Sequence, residues 1–402
     1  MFQIALCLLL LGFYRRNVPV FVFLFFALFY FYVPKHFFLD GFLISYHSAF
    51  QDPIFLNKLV VLNVLFMAGV VLTLGHLDEK RLQAKIFCGM YESKTLFTVI
   101  ALTSLGVAYY GQGGESIIES GGYQKGEFYK STIFEYFILL IFALMIVMNP
   151  KSVLDRIVLY LLVGFYTLKA LLFGGRIEVV QLLLLVVFFR TSFFLGRYRS
   201  LMALLVLSVT FNILFETLRN NPSLIMDPLA IFDENNGRSN VVESQFGDVT
   251  QSSLGLIAIA SQGYVSSTER VLSLYWSTLG SWLPTGLRSP LSDMRVYLQG
   301  FESSGGGGLI AAHAFLWLSW LGPIVLGSFV GLAYRSLYHS SGILISSYGM
   351  LVAITFPRWF AYHPLPLFKF CLLGIFMVIA ISFYHQIVSN ASGGNRSVST
   401  AV

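Results

Sequence analysis

Gly174-Gly175-Arg176 lies between two apolar runs in "LLFGGRIEVVQLLLLVVFF", residues 171–189, and Glu178 follows two residues later. Ionised side chains beside hydrocarbon are expensive and mark functional positions. The glycines permit a tight turn and the close approach of a bulky group. The Arg176 guanidinium is a flat, permanently charged fork that can grip a phosphate at two points. Glu178 could fix the direction of that fork or take a proton from a hydroxyl. The structural alternative is a hairpin turn with a snorkelling arginine and a neutralising glutamate.

A second candidate is "SSGGGGLIAAHAFLWLSWLGP", in which four glycines run into an apolar helix. Free amides at a helix start bind anions. His313 would lie roughly one and a half turns inside, able to bond a substrate hydroxyl or phosphate, or to titrate near neutral pH. A lone histidine on an apolar helix is more often a structural donor. Here the glycines and arginines converge on the same face, which favours the functional reading. Upstream, "LRSPLSDMR" gives Ser289 as a helix N-cap with Pro290 at the first helical position. Arg288 would then precede that helix and Arg295 would lie about two turns along it. "PRWFAYHPLP" adds Arg358 as an anion ligand, with Tyr362 and His363 read as an interfacial belt.

Between 170 and 366 the segments assigned to one face hold Arg176, Arg219, Arg238, Arg270, Arg288, Arg295 and Arg358, and no lysine. Solvation alone would use lysine too; two-point phosphate recognition requires arginine. Residues 218–306 carry eight Asp or Glu against five Arg, so local pairing accounts for some of them. There is no Walker-type loop, and Cys7, Cys88 and Cys371 stand far apart. No paired carboxylates fall near a span end on that face, so the expected chemistry uses no metal and no cofactor. No basic block is dense enough for nucleic acid.

The elements that must position these residues follow from hydropathy. Of 402 residues, 56% are hydrophobic and 11% charged, against roughly 25% charged in a soluble domain. The mean hydropathy is +0.74. Lipid is the solvent for such a chain. The expectation is an all-α, polytopic integral membrane protein with about 11 transmembrane helices, within a range of about 10–12. The candidate spans are 1–14, 17–33, 54–75, 95–111, 132–149, 155–173, 177–195, 200–217, 307–334, 342–357 and 367–385. The N-terminal run precedes Arg15 and Arg16, the reverse of a signal peptide, and is read as a span. Arg15/Arg16 and loops 76–94, 149–156, 190–199 and 334–340 alternate as one basic face, which places them in the cytoplasm.

The opposite face receives 34–53, 112–131, the Gly174–Arg176 turn, 218–306 and 358–366. Residues 218–306 are too many for a bare connection. They read as a periplasmic loop with short helices, its segments "SSLGLIAIA" and "VLSLYWSTLGSWL" lying along the membrane with Trp276 and Trp282 at headgroup depth. Residues 1–386 are expected to be one membrane domain, and 387–402 a disordered polar tail.

This layout, with an arginine after glycines at an outer turn, a long outer loop in the second half and a glycine-rich run into "HAFLWLSWLGPIVLGSFVGLAYR", resembles the bacterial O-antigen polymerases. These are the Wzy-type oligosaccharide repeat-unit polymerases. The resemblance covers the whole chain in layout, with specific matches at Gly174–Arg176 and 284–334. Many members carry Gly-Glu near the start of the late span, where this chain has Ala312-His313. The resemblance implies an inner-membrane glycosyltransferase acting on undecaprenyl-pyrophosphate-linked oligosaccharide at the periplasmic face, with a chain-length regulator protein as a partner. The growing glycan would pass to the terminal sugar of a fresh lipid-linked unit, and undecaprenyl pyrophosphate would leave. Arg176, Glu178 and His313 are then the candidate catalytic residues. Arg288, Arg295, Arg358, Gly174 and Gly175 are the candidate substrate-binding residues. An O-antigen ligase, a transporter or flippase of lipid-linked oligosaccharide, and a membrane scaffold are the rivals. A flippase would place charges along a central path and could repeat its halves, and a scaffold would not need an all-arginine cluster.

Overall fold

The computed structural model describes residues 2–39, 53–77, 88–111, 132–172, 176–189, 245–283, 287–292, 307–339 and 342–391. Every regular element among them is helical: α1 (Phe2–Phe13), α2 (Val18–Leu39), α3 (Pro53–Leu74), α4 (Lys94–Tyr110), α5 (Thr132–Glu135), α6 (Phe137–Val147), α7 (Val153–Leu172), α8 (Arg176–Phe189), α9 (Gln245–Gln262), α10 (Ser267–Thr278), α11 (Ile310–Leu318), α12 (Leu321–His339), α13 (Ile343–Ala361) and α14 (Cys371–Ala391). Val18–Lys35, Pro53–Leu74, Ile343–Ala361 and Pro366–Ala391 are long and apolar enough to cross a membrane. Phe2–Phe13, Lys94–Tyr110, Phe137–Val147 and Ile177–Phe188 are shorter apolar helices. The expected span 200–217 lies outside the described residues, and α14 runs to Ala391, into the stretch expected to be a tail.

The chain forms two compact units. The first takes residues 1–77, 220–336 and 355–369; the second takes 78–219, 337–354 and 370–402.

In the first unit, helices meet through small residues. A Cβ on Gly69 would come 2.9 Å from Ser328 N, while one on Gly327 or Gly331 would strike the backbone of Phe66 or Val70. Gly327 and Gly331 form a GxxxG pair on α12, the spacing that lets membrane helices approach backbone to backbone. Thr73 Oγ1 donates to Ser328 O (3.0 Å) across the same contact. Around it an aromatic core centres on Phe23, whose ring lies 5.5–5.9 Å from those of Tyr334, Phe356, Trp359 and Phe360. Between helices in lipid, such packing and hydrogen bonds supply the attraction that water exclusion supplies elsewhere.

Two sets of helix ends are tied together by hydrogen bonds. In the first unit Tyr14 Oη donates to Gly75 O and Arg335 Nη1 to Thr73 O, which gathers the ends of α1, α3 and α12. In the second, the N–H groups of Gly89, Tyr91 and Ser93 satisfy Met145, Ile146 and Val147 at the end of α6. A Cβ on Gly89 would touch Pro150, so segments 76–94 and 149–156 share an end.

Two expectations are corrected. The run 307–334 is not one helix. It breaks at Ser319 (φ 56°), and a Cβ on Gly322 would strike the backbone of Ala314. In a continuous helix those residues would be about 12 Å apart, so the chain turns sharply between α11 and α12. The segment "SSLGLIAIA" does not lie on a surface. It belongs to α9, where Leu254, Leu256, Ile257, Ala258 and Ile259 are buried, and α9 packs on α2, α3 and α11. Helix α10 does keep an exposed apolar side, through Val271, Leu272 and Tyr275, as an interfacial helix should.

Candidate functional site

Helix α10 begins with a capping box: Glu269 N donates to Ser266 Oγ (3.3 Å), and Ser266 N donates to Glu269 Oε2 (2.8 Å). These hydrogen bonds hold the Glu269 carboxyl below its ordinary range. Once the helix is fixed, Arg270 reaches the end of α11 and donates to Phe315 O (2.7 Å) and Leu316 O. Trp317 Nε1 donates to Ser273 Oγ (3.2 Å) beside it. A cation on the last carbonyls of a helix opposes the negative end of its dipole. Arg270 therefore leaves the group of candidate phosphate ligands; its contacts with these carbonyls make it a helix cap.

The glycine run before α11 was expected to offer free amides. Gly305 and Gly306 lie outside the described residues; Gly307 and Gly308 are buried. A Cβ at Gly307 would collide with the backbone of Tyr362, and one at Gly308 would lie 2.7 Å from Leu256 Cδ1. Leu309 N donates to Ser253 Oγ (2.8 Å). The glycines thus serve close packing, and the first amide is taken by a serine. This is a correction to the anion-cradle expectation for that helix start.

His313 is 3% exposed, on the first turns of α11. Its ring lies 5.5 Å from that of His363 and 5.9 Å from that of Trp317. His363 Nδ1 accepts from Leu365 N (3.0 Å), which leaves the proton of the neutral ring on Nε2. Tyr362 hydrogen-bonds the buried Tyr30 of α2. The Arg358 carbonyl accepts from the N–H groups of both Tyr362 and His363, where α13 ends, and its side chain is half-buried. Of the pair read from sequence as an interfacial belt, His363 lies beside the His313 ring and Tyr362 bonds Tyr30.

Close by in sequence, Lys369 Nζ donates to Ser281 O (2.9 Å). Arg288 Nε donates to Leu283 O (2.7 Å), and the two cations are near enough to repel each other. Ser289 precedes a 3-10 turn, Pro290–Ser292, with Leu291 N donating to its Oγ (3.2 Å), and the residues beyond Ser292 lie outside the described ones. The cap is as expected; Arg295 lies outside the described residues. Lys369 was missed because it sits inside an apolar run.

In the second unit Arg176 is the first residue of α8, and Glu178, in that first turn, is 5% exposed. Gly174 and Gly175 lie outside the described residues. Gln181, one turn on, is also buried. Before the turn, Lys169 of α7 is 4% exposed, donates to Tyr109 O and lies 5.4 Å over the Tyr109 ring. It lies one residue before the 170–366 stretch, which holds no lysine. The structure thus groups His313 with His363 and Arg288 with Lys369 in the first unit. Arg176 and Glu178 share one helix turn in the second. Among the described residues, no three His, Cys, Asp or Glu come together.

The sequence matches no protein-family model and no curated protein, and the fold matches no solved structure. The fold and its apolar helices define a helical membrane protein.

Proposed function

We propose that this chain polymerises undecaprenyl-pyrophosphate-linked oligosaccharide repeat units into O-antigen or a related surface polysaccharide, at the periplasmic face of the bacterial inner membrane. It would do so as a polytopic protein of about 11 spans with 218–306 on the periplasmic side. The observation that carries the reading is the placement of the polar groups. In the first unit, His313 and His363 lie side by side with ring centroids 5.5 Å apart; Arg288 belongs to 218–306 and Arg358 and His363 to 358–366, the segments assigned to the outer side, while His313 and Lys369 lie near the starts of the apolar runs that follow them. The hydrogen-bonded ends Tyr14, Gly75 and Arg335 belong to the face assigned to the cytoplasm.

The reaction breaks the bond between the anomeric carbon of the growing glycan and its pyrophosphate, and forms a bond from that carbon to a sugar hydroxyl of the acceptor. Undecaprenyl pyrophosphate takes the electron pair of the broken bond. Arginines stabilise the charge that grows on it, as preorganised donors do for any developing anion. Arg176 is assigned that clamp, with Arg288, Arg295 and Arg358 as further ligands. Glu178 and His313 are assigned the acceptor hydroxyl, one to orient it and one to take its proton. No nucleotide sugar is required, since the activated bond arrives on lipid.

Deleting the gene and resolving the surface polysaccharide on a gel tests the reading. A polymerase deletion leaves a single attached unit. A ligase deletion attaches none, and a flippase deletion traps single units on the inner side; either result would replace the proposal.

A further inference from the structure

We propose that Lys369 and Arg288 form a subsite for the phosphate of a lipid headgroup, docked on the turn from Ser281 to Leu283. The two side chains hold carbonyls two residues apart on that turn, Lys369 Nζ on Ser281 O at 2.9 Å and Arg288 Nε on Leu283 O at 2.7 Å. Each bond fixes the side chain while leaving charged N–H groups over: two on the ammonium and those of the guanidinium Nη atoms. Among the described residues neither cation has an acidic partner. Two cations anchored side by side repel, and a phosphate between them relieves that repulsion through charge-assisted hydrogen bonds. The anchoring is itself supported, since Ser277 Oγ of α10 donates to Ser292 O (3.2 Å) and ties the turn after Arg288 to that helix.

The surroundings select a lipid over a soluble phosphate. Leu279, Leu283 and Leu287 flank the pair and are 63%, 40% and 66% exposed, with Trp282 half-buried among them. Exposed leucines and a tryptophan beside a cation pair suit a headgroup whose chain continues into hydrocarbon. The chemistry fits a polyprenyl pyrophosphate carrier or a bilayer phospholipid alike. The carrier as ligand rests on the polymerase reading; the phosphate site does not.

The test measures lipid binding to the purified full chain in neutral detergent by native mass spectrometry, with undecaprenyl pyrophosphate and phosphatidylglycerol as separate probes. Lys369→Gln and Arg288→Gln should each weaken binding about tenfold or more, the effect of losing one charge-assisted hydrogen bond. Lys369→Arg should stay near the parent. Loss for undecaprenyl pyrophosphate alone assigns the site to the carrier. Loss for both lipids assigns it to any lipid phosphate. Unchanged binding of both lipids to a folded Lys369→Gln or Arg288→Gln chain overturns the proposal, and Arg288→Gln decides if Lys369→Gln does not fold. A chain that binds through this pair but makes no polymer would sink only the polymerase reading. A chain that polymerises while both variants bind normally would sink only the subsite.

Discussion

Residue by residue, some cations are proposed to meet a ligand while others meet the protein's own backbone, as Arg270 does. Arg176→Ala should reduce polymer formation by about 100-fold or more, the effect of removing a preorganised donor from a developing anion. Arg176→Lys should recover little, because lysine keeps the charge and loses the two-point grip. Arg156→Ala serves as the control: Arg156 Nε donates to Ser152 O in the loop assigned to the cytoplasm. The polysaccharide ladder at matched membrane levels reads all three, and a normal ladder from Arg176→Ala would remove that residue's role. Glu269 gives a pH prediction. Its folded carboxyl lies below the ordinary value of 4.5 because Ser266 donates to the carboxylate. The capping contribution is therefore complete above that value and is lost as pH falls through the folded one. Thermal unfolding in detergent should show Glu269→Gln less stable than the parent at neutral pH, with the gap closing in acid. A gap that persists in acid would contradict this. Arg176 and Glu178 were legible in sequence because charge beside apolar runs stands out. Lys369 was not: it lies inside a run that hydropathy assigns to a span, and its partner Ser281 is 88 positions away. Arg270 was misread for the same reason, since nothing local announces that its fork ends on α11.

Among the elements, the break between α11 and α12 is what hydropathy could not reveal. The run 307–334 is apolar throughout, so its period gives no sign of a turn. Only the close approach of Gly322 to Ala314 and the positive φ of Ser319 require one. Ser319 adopts φ 56°, ψ −146°, a conformation that suits glycine. Ser319→Gly should therefore stabilise the chain by about 1 kcal/mol. Gly322→Ala should destabilise it by about 1–3 kcal/mol, because a methyl group there has no room. Gly164→Ala on α7, where nothing lies within 4 Å of the added carbon, should be tolerated. Unfolding temperatures of the three variants check the set; a stabilised Gly322→Ala would mean that α12 continues straight from α11. The helical class itself was readable, since unbroken apolar runs of this length have no other solution in lipid. The burial of α9 was not, because its serines and small residues read as surface material until α2, α3 and α11 cover them.

For the molecule as a whole, sidedness and chemistry are the claims to test. Basic short loops should face the cytoplasm. Cysteines introduced at 76–94 should resist an impermeant reagent in intact cells, and those at 218–306 should react; the opposite pattern would invert the topology. The apolar helices were legible because hydropathy alternates along the chain, and four of them among the described residues are long and apolar enough to cross a membrane. The grouping of the first unit's polar residues was legible only in part, because they come from the segment after α10, from α11 and from the α13–α14 connection, and sequence cannot say which distant residues meet. The most direct test is reconstitution. The purified chain in liposomes would receive a synthetic undecaprenyl-pyrophosphate-linked repeat unit, with chelator present and no nucleotide sugar. The account predicts a ladder of dimers and longer glycans, with one undecaprenyl pyrophosphate released for each bond formed. Recovery of only the single unit, from protein that is folded and correctly oriented, would contradict it; a ladder appearing only when Mg²⁺ or Mn²⁺ replaces the chelator would contradict its metal-free chemistry.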